Sequence, residues 1–136
     1  SADVERRITA GDDLEQPGVD TDWRPWQTAF DDSDAPFYRW FSGGLTNACF
    51  NEVDRHVLGG RGAHAAFVFE GDRWDPSKNE GRGGPVYEIE IDYRRLLVET
   101  VLRAELFSGL GLGKGDRIAF NLPNIPEQLY YTEAAK

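Results

Sequence analysis

Arg117-Ile118-Ala119-Phe120-Asn121-Leu122 reads as a short apolar strand, Pro123-Asn124 as a turn, and Pro126 opens a helix that runs to Lys136. A strand followed by a helix is the first two thirds of a βαβ unit, and such a unit needs a second parallel strand. None follows in these 136 residues. The expectation is the front end of a larger α/β protein whose sheet is incomplete in this chain. Its activity is then mostly that of its parent.

Upstream, the chain divides into an acidic arm over 1–35 and the start of a large domain over 36–136. The arm carries Asp12, Asp13, Glu15, Asp20, Asp22, Asp31, Asp32 and Asp34, with Trp23 and Trp26 around Pro25. Acidic runs of this kind usually form a solvated face, but two tryptophans suggest docking on something apolar. Pro36–Phe41 then places four aromatics in six residues before Gly43 and Gly44 break the run. The net charge of −9 repels phosphate backbones and argues against a nucleic-acid partner. One cysteine, Cys49, excludes an intrachain disulfide. There is no secretory apolar core and no run long enough to span a membrane, so the expected setting is the reducing cytoplasm, without a membrane partner.

Periodicity gives the elements of the large-domain start. Thr46 or Asn47 can cap a helix over 47–58, which Gly59 and Gly60 stop. Ala65–Phe69 is a buried-type strand. Val86–Ile91 alternates, with Val86, Glu88 and Glu90 on one face and Tyr87, Ile89 and Ile91 on the other. These two strands form an antiparallel hairpin around the polar, glycine-rich connection Gly71–Pro85. Asp92 caps a helix over 93–108 with Leu96, Leu97, Val101, Leu106 and Phe107 on its apolar face and Leu102 on the flank.

Catalytic constellations are absent. Gly109–Gly115 is glycine-rich around Lys114, but the spacing and the helix-then-strand order are wrong for a phosphate loop, so it reads as a helix C-cap and turn. Cys49, His56 and His64 match no zinc spacing. Ser42 and Ser108 lack a nucleophile elbow. No catalytic, cofactor-binding or metal-binding residue is assigned.

The specific signal is Trp40-Phe41-Ser42-Gly43-Gly44-Leu45-Thr46-Asn47-Ala48-Cys49-Phe50-Asn51-Glu52-Val53-Asp54-Arg55-His56. It resembles the opening signature of AMP-forming acyl-CoA synthetases of the acetyl-CoA synthetase type, matching it at Trp40, Phe41, Gly43, Gly44, Asn47, Asn51, Asp54, Arg55 and His56. The order that follows is also similar, through Tyr93-Arg94-Arg95-Leu96 and Lys114-Gly115-Asp116-Arg117 to Leu122-Pro123-Asn124. The resemblance implies an adenylate-forming fold and a parent that converts a small carboxylic acid to its CoA thioester with ATP and Mg²⁺. It places the ATP, Mg²⁺ and CoA sites outside this chain and gives the signature residues, Pro123 and Asn124 included, a structural role. The principal partner would be the remainder of the parent polypeptide, with association of a second copy left open. Two features resemble more narrowly the ligase part of propionyl-CoA synthase, a fusion that activates 3-hydroxypropionate, dehydrates it and reduces it with NADPH. These are the long connection Asp72–Pro85 and the Gln128–Glu133 helix. The competing expectation is a non-catalytic interaction module that docks through its aromatic arm.

Overall fold

The computed structural model describes residues 25–136, so the acidic run from Asp12 to Asp22 and Trp23 lie outside the described residues. The chain separates into two compact units, one ending at Ala48 and one comprising Cys49–Lys136.

In the first unit, β1 (Thr28–Asp31) and β2 (Arg39–Ser42) pair antiparallel with Phe30 opposite Trp40 and Asp31 opposite Arg39. Tyr38 and Trp40 alternate, so both reach the same cross-strand neighbour: Phe30 lies 5.7 Å from the Tyr38 ring and 4.6 Å from that of Trp40. The connection is held by polar contacts. The Asp31 carboxylate accepts the Ser33 amide at 3.0 Å, and the Phe37 amide donates to the Asp34 carbonyl at 2.8 Å. Bonds from the hydroxyl and amide of Ser33 hold the Asp31 carboxyl below the usual range.

The second unit is built on an antiparallel pair, β3 (Ala65–Glu70) and β6 (Glu88–Asp92). Val68 faces Glu90 and Phe69 faces Ile89, with a register irregularity between Ala65 and Phe67. The alternation expected for the second strand holds within β6, where Ile91 is fully buried and Glu88 and Glu90 are exposed, but Tyr87, expected on the face of Ile91, precedes the strand and is 55% exposed. The connection between β3 and β6 is itself ordered. β4 (Trp74–Asp75) pairs with β5 (Gly84–Pro85), and a turn over Lys78–Gly81 joins them. Asn79 and Glu80 sit at φ 53° and 59°, and the Asn79 side chain donates to the Gly83 carbonyl at 2.9 Å. Gly83 is required there: at φ 82° a Cβ would lie 2.4 Å from the Trp74 ring nitrogen.

α1 (Tyr93–Gly109) starts where the sequence indicates. Asp92 accepts the Arg95 amide at 2.7 Å, and the Tyr93 and Arg94 amides donate to the His64 and Gly62 carbonyls. Removing this cap by Asp92→Ala is expected to cost about 1 kcal/mol, read as a fall of about 4–8 °C in melting temperature. An unchanged melting temperature would show that the cap contributes nothing. The glycine-rich end is a helix cap, as expected: Gly111 at φ 81° donates to the Ser108 carbonyl, and Leu112 donates to that of Phe107. α2 (Pro126–Ala134) has proline in its first turn and packs on α1.

Three expectations are corrected. First, residues 117–122 form no strand, and the three strand pairs β1–β2, β3–β6 and β4–β5 are all antiparallel. The run packs through Phe120, whose ring lies 6.2 Å from that of Phe107 and 5.6 Å from that of Tyr131. Strand periodicity describes side chains, and a ladder needs a partner backbone as well. Second, the inward face of α1 is centred on Leu96, Leu97, Thr100 and Phe107. Val101 is half-buried and Leu106 is 49% exposed. Third, the helix expected over 47–58 is helical over 48–61 with π-helical stretches at Phe50–Asp54 and Val57–Arg61. It passes Gly59, and Gly60 interrupts it at φ 78°. The buried apolar side chains of this unit are Val53, Ile91, Leu96, Leu97, Phe107 and Tyr130, with the Tyr130 ring 6.4 Å from Phe67.

Candidate functional site

The signature residues occupy three places. Trp40 and Phe41 lie in β2 and are exposed, and Gly43 and Gly44 turn the chain after it. Both glycines have local reasons. Gly43 is at φ 80°, and a Cβ on Gly44 would lie 3.0 Å from the Phe41 carbonyl oxygen and 3.3 Å from the Trp26 Cβ. The Trp26 and Phe41 rings meet edge-on at 5.5 Å. Asn47 directly precedes the helical stretch.

Asn51, Asp54, Arg55 and His56 all lie in the 48–61 helical stretch. Asn51 accepts from the Arg55 guanidinium at 3.0 Å, one helical turn away. Asp54 accepts from the Cys49 thiol at 3.9 Å. Burial pushes the Asp54 carboxyl up, against its own backbone amide and the thiol, which pull it down. The His56 ring packs 4.3 Å from that of Tyr93, at the start of α1. Desolvation first, then the Arg61 and Arg55 charges, hold its pKa below the ordinary histidine value. At neutral pH this ring is therefore a neutral packing group. Pro123 and Asn124 fall in the turn before α2, and Asn124 borders an open groove of about 400 Å³ between β3 and α2.

A polar cluster joins the helical stretch to the end of α2. Lys136 Nζ donates to Glu133 Oε1 at 2.8 Å and to Glu52 Oε2 at 2.7 Å. Burial works against the Lys136 charge, but these two carboxylates outweigh it and raise its pKa. Glu133 is only 4% exposed, so Lys136 brings a buried side chain a polar partner. Sequence reading had no means of finding a contact between positions 84 residues apart. Cys49 and Asp54 are five apart, off a common face of an α-helix, and meet where the stretch is π-helical. A second group lies along α1, where the Arg103 guanidinium bonds Glu99 and stands 5.4 Å from the Tyr130 ring and 5.6 Å from that of Tyr131.

Among the described residues these contacts tie the 48–61 helical stretch to α1 and to the end of α2. Among the described residues, no group of three or more His, Cys, Asp or Glu side chains is disposed to hold a metal ion. Among the same residues, no helix is long and apolar enough to cross a membrane.

Comparison with known proteins agrees with the resemblance of the signature. Residues 20–51 match the family model for the acetyl-coenzyme A synthetase N-terminus, which ends at Asn51 and so covers the signature as far as its second asparagine. Acetyl-coenzyme A synthetase of Campylobacter jejuni is 39% identical over 103 residues, covering 76% of this chain and 14% of that protein. The enzyme of Mycolicibacterium smegmatis is 39% identical over 108 residues, covering 76% of this chain and 10% of its own length. That of Burkholderia thailandensis is 34% identical over 114 residues, covering 83% and 16%. The chain thus spans about one seventh of the length of the first of these relatives. Over the stretch that these matches cover, it is an N-terminal part of the acetyl-coenzyme A synthetase type.

Proposed function

We propose that this chain is the N-terminal segment of an ATP-dependent acid:CoA ligase, which joins a short-chain carboxylate to CoA and releases AMP and diphosphate. The observation that carries the reading is the 39% identity to acetyl-coenzyme A synthetases over 76% of the chain. The chemistry needs ATP because a carboxylate is a poor acyl donor, and adenylation turns it into an anhydride with a good leaving group. ATP, Mg²⁺ and CoA are held by residues outside this chain. The segment itself contributes scaffold: Trp40, Phe41, Gly43 and Gly44 shape the turn after β2, while Asn51, Asp54 and Arg55 bond within the helical stretch and His56 packs it on α1. The fold it begins is that of the adenylate-forming enzymes, with the arm over 1–35 leading into the large domain, in a cytoplasmic protein. The acid is acetate, propionate or 3-hydroxypropionate. The ordered β4–β5 excursion over 72–85 supports the narrower reading of a propionyl-CoA synthase ligase part, in which NADPH serves a later reductive step.

Diphosphate release tests this. The longer polypeptide, given ATP, Mg²⁺, CoA and each of the three acids, should turn over, and the 136-residue chain alone should not. Turnover by the short chain would refute its role as a scaffold segment. No turnover by the longer polypeptide would refute the ligase and favour an interaction module that docks through its exposed aromatics.

A further inference from the structure

Among the described residues, β3 pairs with β6 along one edge only. Its other edge borders the groove of about 400 Å³, where Phe67, Val68, Phe69 and Glu70 all line the wall. Side chains of a strand alternate between faces, so a groove touched by four successive residues runs along the strand's edge. Such an edge presents a row of unpaired backbone donors and acceptors. The facing wall follows α2 from Asn124 and Ile125 at its start to Leu129 and Thr132. The groove is thus backbone-polar on one side and partly apolar on the other, which is the chemistry of a seat for an added strand.

We propose that the free edge of β3 receives a β-strand from the polypeptide that follows α2. Residues 117–122 carry no ladder and lead through Pro123-Asn124 into α2, whose start and body form the wall of the groove that faces β3. A chain returning after α2 runs antiparallel to that helix, so it passes Thr132 and Leu129 before reaching Asn124. That is the course of the groove. The inference rests on the ligase reading for its source of polypeptide, since the matched stretch is 10–16% of the relatives' lengths.

Hydrogen exchange resolved along β3 tests it. Between Phe67 and Glu70, the amides that β6 does not bond should exchange at least about tenfold more slowly in the longer polypeptide than in the 136-residue chain. Gln128 is exposed and lines the groove. In the longer polypeptide, Gln128→Trp should fill the groove and return those amides to fast exchange, leaving the β6-bonded amides slow. Equal, fast exchange of wild-type β3 edge amides in both chains would overturn the proposal, and this comparison needs no variant. Protection in the short chain that grows with its concentration would also overturn it, in favour of a second copy. Diphosphate release by the same longer polypeptide is scored separately. Turnover with an unprotected edge sinks this inference alone, and a protected edge without turnover sinks the ligase reading alone.

Discussion

Ile91→Ala is expected to lower the melting temperature of the Cys49–Lys136 unit by about 10–30 °C. Ile91 is 0% exposed and sits in β6 opposite Phe67. Truncating a buried isoleucine to alanine loses the transfer energy of its methylenes and leaves a cavity, together about 2–5 kcal/mol. For a domain of this size each kcal/mol is worth about 4–8 °C. A small unit has a total stability of about 5–15 kcal/mol, so the loss is a large share of it. Leu106→Ala is the matched control. Leu106 is 49% exposed at the far end of α1, and its removal should change stability by less than about 0.5 kcal/mol. Equal shifts for the two variants would mean that the inward face of α1 and β6 has been misplaced. Calorimetry on both proteins decides it.

That pair of residues also shows what the sequence could and could not convey. Ile91 was readable because β6 alternates, and a period of two fixes the buried face from composition alone. Asp92 was readable because a cap is a local device, needing only the carboxylate and an amide three residues on. Leu106 lies off the inward stripe of α1 at 100° per residue, whereas Thr100, which the apolar pattern passes over, lies on it. A buried threonine gives no apolar signal. The β1–β2 hairpin escaped for a different reason. Its aromatics look like a docking run, and the alternation of Tyr38 and Trp40 carries strand information only once Phe30 is known to face them. The strand expected over 117–122 failed because half of any ladder belongs to another segment. At the candidate site, the signature residues were legible as a pattern, but their contacts were not. His56 on Tyr93 and Lys136 between Glu52 and Glu133 join positions that only folding brings together.

Cys49 is expected to resist thiol reagents by more than about tenfold in the folded chain. Burial, and then the Asp54 and Glu133 carboxylates, push its thiol from 9.0 up to about 12, with Lys136 opposing weakly. The thiolate is the reactive species, and its fraction at pH below 9 falls about tenfold for each unit by which the pKa rises, which the greater nucleophilicity of a more basic thiolate offsets by about half. Labelling with an aromatic disulfide reagent, native against denatured in guanidinium chloride, measures the ratio. The same shift has a signature in stability. The folded state holds the Cys49 proton between about 9.0 and about 12, where the unfolded chain has released it. Folded protein then binds more protons, so stability must fall as pH rises through that window and be unaffected by this group below it. Asp54→Asn separates the causes. It removes one neighbouring carboxylate while leaving the thiol buried, so it should recover only a minor part of the reactivity. If Asp54→Asn alone restores labelling to the denatured rate, charge and not desolvation governs Cys49, and the packing assigned to the 48–61 helical stretch is wrong.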